Sequence, residues 1–174
     1  MSKTANDTPK PARRRKTPAT ASAPAREPAS PAMGDAVPAT AAAPLFVAEL
    51  AARWRDLDAF NHVNNSNYLT YLEEARLQWL SHVPGPWFDD HAMPVMAAAQ
   101  LNYRRPIEWP ARLHVQLYGE RLGNTSMTIA HRLVDADDNG VLYCDGHVVM
   151  VWMDPASGKP VPLPQAIRDA AGGG

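Results

Sequence analysis

The apolar positions change period along the chain. In residues 45–55, Phe46, Ala48, Leu50, Ala52 and Trp54 alternate with other residues, among them Glu49 and Arg53, which predicts a strand. From about Ser66 to His82 the spacing becomes three and four. Tyr68, Leu72, Ala75 and Trp79, with Leu69 and Leu80 one row over, predict a long helix. Asn64, Asn65 and Ser66 suit its start, because their side chains can accept from the unpaired amides of a first turn. Pro84-Gly85-Pro86 ends it.

Alternation then returns. Segments 95–106, 112–121 and 126–135 alternate apolar and polar side chains, and Asp138-Asn139-Gly140 is a strong hairpin signal before a last strand over 141–153. The near-continuous apolar run Val148 to Met153 suggests burial on both faces. One strand, one long helix and four strands with short turns predict an α+β fold, with a curved antiparallel sheet wrapped around one long helix. The open edges and opposite face of so small a sheet predict a homodimer, extending to a homotetramer.

Composition narrows this. The 174 residues suit one domain. A core of roughly 130 residues buries about two-thirds of its unfolded surface without disulfides or structural metal. Cys144 is the only cysteine, so no internal disulfide or paired-cysteine zinc site can form, and a cytoplasmic setting is expected. No apolar run approaches the roughly 18 residues of a membrane span. Residues 1–44 are rich in Ala, Pro, Ser and Thr and carry seven Lys/Arg against three acids. They are expected to be a disordered, solubilising leader. Its PARRRK cluster, Pro11 to Lys16, lacks the aromatics of a nucleic-acid site, so no nucleic-acid partner is expected. The domain is assigned to 45–165 and a flexible tail to 166–174.

Candidate chemistry concentrates in Arg53 to Arg76, RWRDLDAFNHVNNSNYLTYLEEAR. A carboxylate in a loop before a helix can act as nucleophile or activate water, and free amides at the helix start can stabilise an oxyanion. Asp58 is the candidate for the first role. Amides near Asn65 and Ser66 are candidates for the second. Asp56 reads as a loop brace paired with Arg53 or Arg55. Asn64 and Asn65 read as caps, Tyr68 and Tyr71 as packing or pocket-lining residues, and Glu73, Glu74 and Arg76 as solvated charges or interface pairs. Asp58 and His62 are two ligands short of a zinc site, so no metal and no cofactor are expected. Cys144 reads as a buried apolar residue.

The pattern D-x-D-x-x-x-H-V-N-N-x-x-Y-x-x-Y-x-E-x-A-R resembles the signature of hotdog-fold acyl-CoA thioesterases of the 4-hydroxybenzoyl-CoA thioesterase type. LNYRRP (Leu101 to Pro106) and RLGNTSM (Arg121 to Met127) resemble later strand segments of that family, and the resemblance covers residues 45 to about 165. It implies a hotdog fold, an acyl-CoA substrate, a site at a dimer interface and Asp58 as the catalytic carboxylate. His62 would orient Asp58, donate to the carbonyl or bridge loop backbone. In related acyl-carrier-protein thioesterases a catalytic Asn follows the Asp by two places; here that position is Phe60. Asn64, Asn65, Ser66 and Tyr68 are candidate substrate-binding residues, with Arg104 and Arg105, and more loosely Arg121, as candidates for the coenzyme A phosphates. An enoyl-thioester hydratase and a non-catalytic acyl-CoA binder are the alternatives.

Overall fold

The computed structural model describes residues 43–172. The proposed leader therefore lies outside the described residues, apart from the exposed Ala43 and Pro44. Within that range the chain runs β1 (Phe46–Ala51), α1 (Asn65–His82), β2 (Met93–Tyr103), β3 (Arg112–Leu122), β4 (Ser126–Asp135), β5 (Leu142–Asp154), β6 (Lys159–Pro160) and α2 (Gln165–Gly172). The five long strands form one antiparallel sheet in the order β1-β3-β4-β5-β2, and the short β6 pairs with β5.

The expected order of elements is present, and α1 lies over β1 and β3. Its apolar stripe, Tyr68, Leu72, Ala75 and Trp79, is buried against Ala48, Leu113, Val115, Leu117 and the inward residues of β4 and β5. Asn64 caps it, with Oδ1 accepting from the amide of Ser66, and the chain breaks at Val83 before Pro84.

Three expectations are corrected. The first strand stops at Ala51, and Trp54 belongs to a 3-10 turn over Trp54–Asp56, with 74% of its surface exposed. Its alternation with Ala52 is a coincidence of spacing across a turn. β5 does not bury both faces: Val148, Met150 and Trp152 are buried while Val149, Val151 and Met153 are half-exposed, so the apolar run hides an ordinary two-faced strand. The expected flexible tail is instead the helix α2. Ile167 is fully buried, and Arg168 Nη2 donates to the carbonyls of Gly123 and Asn124 at 3.1 and 2.8 Å. One buried anchor and a tie to the β3–β4 turn hold a segment too short to form a stable helix alone.

Candidate active site

The loop between β1 and α1 holds two aspartates in opposite surroundings. Asp56 is buried. Its Oδ2 accepts from the Arg53 amide (3.2 Å), Arg53 Nε (2.9 Å) and the Tyr71 hydroxyl (2.7 Å). Its carbonyl accepts from the amide of Asn64 and from Asn67 Nδ2, both at 2.8 Å. Burial alone raises its pKa, but the bonds from Arg53 and Tyr71 outweigh burial and hold the carboxyl below the usual aspartate range. Asp56 is thus the brace that ties the turn to the first two turns of α1. Its close partner is Arg53; Arg55 approaches only to 4.0 Å.

Asp58 is half-exposed. Oδ1 accepts from the amides of Phe60 (2.7 Å) and His62 (3.2 Å), an Asx-type turn, and the Asp58 amide donates to the His62 carbonyl at 2.7 Å. Asn61 closes the turn at φ 63°, which asparagine tolerates better than most residues. One oxygen fixes the side chain and the other, Oδ2, makes no hydrogen bond among the described residues.

Asp58 borders a cleft of about 250 Å³ together with His62, Asn65, Tyr68, Arg104 and Arg105. These are six of the eight candidate residues, brought together from the loop, the start of α1 and the end of β2. Val63, Tyr103 and Pro106 complete the wall. A larger cleft, about 490 Å³ and lined in part by Trp109 and Arg112, gathers none of the candidates, and Arg112 there is already paired with Asp137 and with Glu49.

The two candidates outside the cleft, Asn64 and Ser66, form the cap. Asn64 Oδ1 accepts from both the amide (3.0 Å) and hydroxyl (2.8 Å) of Ser66. The Asn67 amide donates to the Asn64 carbonyl at 2.8 Å. Ser66 is therefore not a free donor, and the open amide of the first turn is that of Asn65, at the positive end of α1. The Asn65 carbonyl accepts from the Tyr103 hydroxyl at 3.1 Å, which fixes that peptide against β2.

Tyr68 packs edge-on against Tyr103, with ring centroids 5.0 Å apart, and its hydroxyl lies 3.4 Å from the Arg105 carbonyl. Burial pushes its pKa up to about 12, so it is a wall rather than a proton carrier at neutral pH. His62 binds Asp58 through its backbone amide, while its ring faces Glu108 at 3.9 Å. Among the described residues no hydrogen bond joins the His62 ring to the Asp58 carboxylate. Cys144 is fully buried with its thiol pushed up to about 12 by burial, which keeps it un-ionised.

Arg104 lines the cleft but also has a buried partner. Its guanidinium is committed to the buried Asp145, with Nε to Oδ2 at 3.1 Å and Nη2 to Oδ1 at 3.0 Å. This bidentate pair seals the floor where β2 meets β5, and the exposed arginine at the rim is Arg105. The sequence reading missed three residues. Asp145 had a visible signal, a carboxylate inside an apolar strand, which must find a partner. Tyr103 and Glu108 reach the site only through the pairing of β2 and of the following loop, which local sequence does not encode.

Comparison with known proteins accords with this geometry. Residues 52–171 match the family model of the thioesterase-like superfamily. The long-chain acyl-CoA thioesterase FadM of Escherichia coli K12 is 28% identical over 123 residues, covering 70% of this chain and 92% of that protein. A solved structure of a candidate acyl-CoA thioesterase from Xanthomonas campestris is 49% identical, covering 64% of this chain and 95% of that one, with a TM-score of 0.60. A Thermus thermophilus thioesterase solved with coenzyme A and Zn is 32% identical, covering 74% and 92%, with a TM-score of 0.63. The chain belongs to the thioesterase-like superfamily and has its α+β hotdog fold.

Proposed function

We propose that this protein hydrolyses acyl-CoA thioesters to the free acid and coenzyme A, with Asp58 as the reacting carboxylate. The observation that carries the reading is the shared cleft. Asp58, Asn65 at the start of α1 and the exposed Arg105 border one space, and among the described residues Asp58 Oδ2 and the Asn65 amide have no hydrogen-bond partner. The related Escherichia coli and Xanthomonas proteins, named for acyl-CoA thioesterase activity, support the substrate class.

In this mechanism the thioester carbonyl oxygen points at the Asn65 amide. Asp58 Oδ2 takes a proton from water, and the oxygen of that water attacks the carbonyl carbon. The tetrahedral oxyanion is stabilised by the amide and the helix dipole. It collapses with cleavage of the carbon–sulfur bond, and the leaving thiolate recovers the proton from Asp58. Alternatively Oδ2 itself attacks, giving a mixed anhydride that water then hydrolyses; the products are the same. Asn64 and Ser66 hold the amide in place, Tyr68 and Tyr103 form the wall, and Arg105 meets coenzyme phosphate. His62 contributes mainly through its backbone grip on Asp58. Arg121, exposed near the far end of β3, is not a neighbour of this cleft.

The working form in this reading is a cytoplasmic homodimer or homotetramer acting in lipid metabolism. The hydrolysis proposed here needs only water besides the thioester. Among the described residues no helix is long and apolar enough to cross a membrane. The test is a thiol-release panel across short, long, branched and aromatic acyl-CoAs, with crotonyl-CoA absorbance followed in parallel. Free thiol from at least one class, without loss of the enoyl absorbance, is expected. Hydration of crotonyl-CoA without thiol release, or tight binding without turnover, contradicts the proposal.

A further inference from the structure

One charged group in the core has no counter-charge of its own. Arg76 leaves α1 toward β2 with only 7% of its surface exposed. No carboxylate among the described residues lies within 4.0 Å of its guanidinium. Nη2 meets Met96 Sδ at 4.0 Å, a weak acceptor on a flexible side chain. The Arg76 charge also reaches His131, whose buried Nε2 has no hydrogen-bond partner among the described residues. Asp145, the carboxylate inside β5, is held by Arg104 and Asn102. A buried cation without a carboxylate is costly, so this end of the core is prepared for an anion.

An open strip leads from the proposed reaction centre to Arg76. α1 lies over β1 and β3, and contacts at two levels set it against β2. At the cleft, the Tyr103 hydroxyl donates to the Asn65 carbonyl and the Tyr103 ring packs edge-on against Tyr68. At the other end Arg76 meets Met96. Between these points α1 and β2 run side by side in opposite directions. The bulge between Met96 and Ala98 shifts the alternation, so Met96 shares a face with Ala99 and pairs, as Ala99 does, with a core residue of β5, Met150 or Val148. Ala99 therefore looks to the helix side and is still exposed, as are Met96, Tyr103 and, across from them, Leu69 of α1. Side chains that face the helix and remain exposed line a trough that the chain itself leaves unfilled.

We propose that this trough takes the acyl chain of an acyl-CoA whose far end carries a carboxylate, and that Arg76 pairs with that carboxylate. The inference rests on the hydrolase reading above, which sets the thioester carbonyl at the Asn65 amide, and it names the substrate class. From Asn65 to Arg76 the helix rises roughly 16 Å. The arginine side chain leans back toward the helix start, which shortens the span. An extended chain of about twelve carbons, with zigzag bonds of about 1.5 Å, covers roughly 14 Å. Leu69 and Ala99 offer apolar walls to its methylene groups, and the small alanine leaves width for them. A terminal carboxylate gives Arg76 the bidentate acceptor it lacks and displaces only the Met96 thioether. A plain fatty acyl chain of the same length sets a methyl group there and leaves the guanidinium unpaired.

Thiol release from the mono-CoA thioester of dodecanedioic acid and from dodecanoyl-CoA, by the wild type and by Arg76→Met, tests this. In the wild type kcat/KM is expected to be at least about tenfold higher for the diacid thioester, with most of the difference in KM. In Arg76→Met, where an apolar side chain fills the buried position, the ratio between the two substrates should fall to about one or below. Equal kcat/KM for the two in the wild type, or a preference for dodecanoyl-CoA, overturns the inference while the hydrolase reading stands, and it does so even if the variant does not fold. A wild-type preference that persists unchanged in folded Arg76→Met also overturns it, since Arg76 is then not its source. Absence of thiol release from every acyl-CoA tried defeats the hydrolase reading and this inference with it.

Discussion

Asp56 and Asp58 stand two residues apart in one loop and have opposite surroundings. Asp56 is enclosed by Arg53, Tyr71, Asn64 and Asn67, with its carboxylate and carbonyl both engaged. Asp58 spends one oxygen on its own turn, leaves the other without a hydrogen-bond partner among the described residues, and borders a cleft. Burial and choice of partner, rather than residue type, separate a brace from the proposed reactive group. A buried carboxylate held by an arginine and a tyrosine is stabilised as an anion and shut away from a substrate.

That contrast can be broken by substitution. Asp58→Asn keeps the side chain's shape and the Oδ1 acceptor but removes the base, so kcat should fall at least about 100-fold with thermal stability nearly unchanged. Asp56→Ala should do the reverse, costing about 1–3 kcal/mol of stability because the Tyr71 hydroxyl and the Arg53 guanidinium lose their acceptor. Its effect on kcat should be secondary, roughly tenfold, through a displaced Asn65 amide. Chemical denaturation and thiol-release rates on the same samples separate the two.

Acid sharpens the comparison. Asp56 has a lowered folded pKa, so its stabilisation is present above the ordinary aspartate value of 3.8 and is lost as pH falls through the folded value. His131 adds a separate slope higher up. Burial, then the Arg76 cation, push it down to about 4 from 6.5, with Asp145 opposing and His147 adding to the fall. Between about 6.5 and about 4 the unfolded chain takes up a proton that the folded chain refuses, so stability should fall as pH falls across that window and level off below it. Urea unfolding at pH 7.5 and 4.5 should show the loss, and His131→Gln should flatten it. The smallest effect expected is for His62→Ala, no more than about tenfold in kcat, since its grip on Asp58 is through the backbone.

Much of this was legible in the sequence. The helix from Tyr68 to Trp79 and its asparagine cap follow from spacing and local hydrogen bonding, and six candidate residues meet in one cleft. What local pattern does not encode is pairing across the sheet. The capture of Arg104 by Asp145 and the Tyr103 hydroxyl on Asn65 depend on which strands become neighbours. Arg76 reads as a solvated helix charge or an interface pair until the helix is seen to point it at Met96. The tail was misread because α2 is held by tertiary contacts of Ile167 and Arg168 rather than by propensity.

The central claim is that Asp58 Oδ2 carries the reaction while its neighbour Asp56 only holds the loop. It is tested most directly by thiol release from a saturating acyl-CoA substrate by Asp58→Asn protein whose melting temperature matches the wild type. The account predicts a loss of at least about 100-fold in kcat with little change in KM. Retention of wild-type kcat in that variant would contradict it.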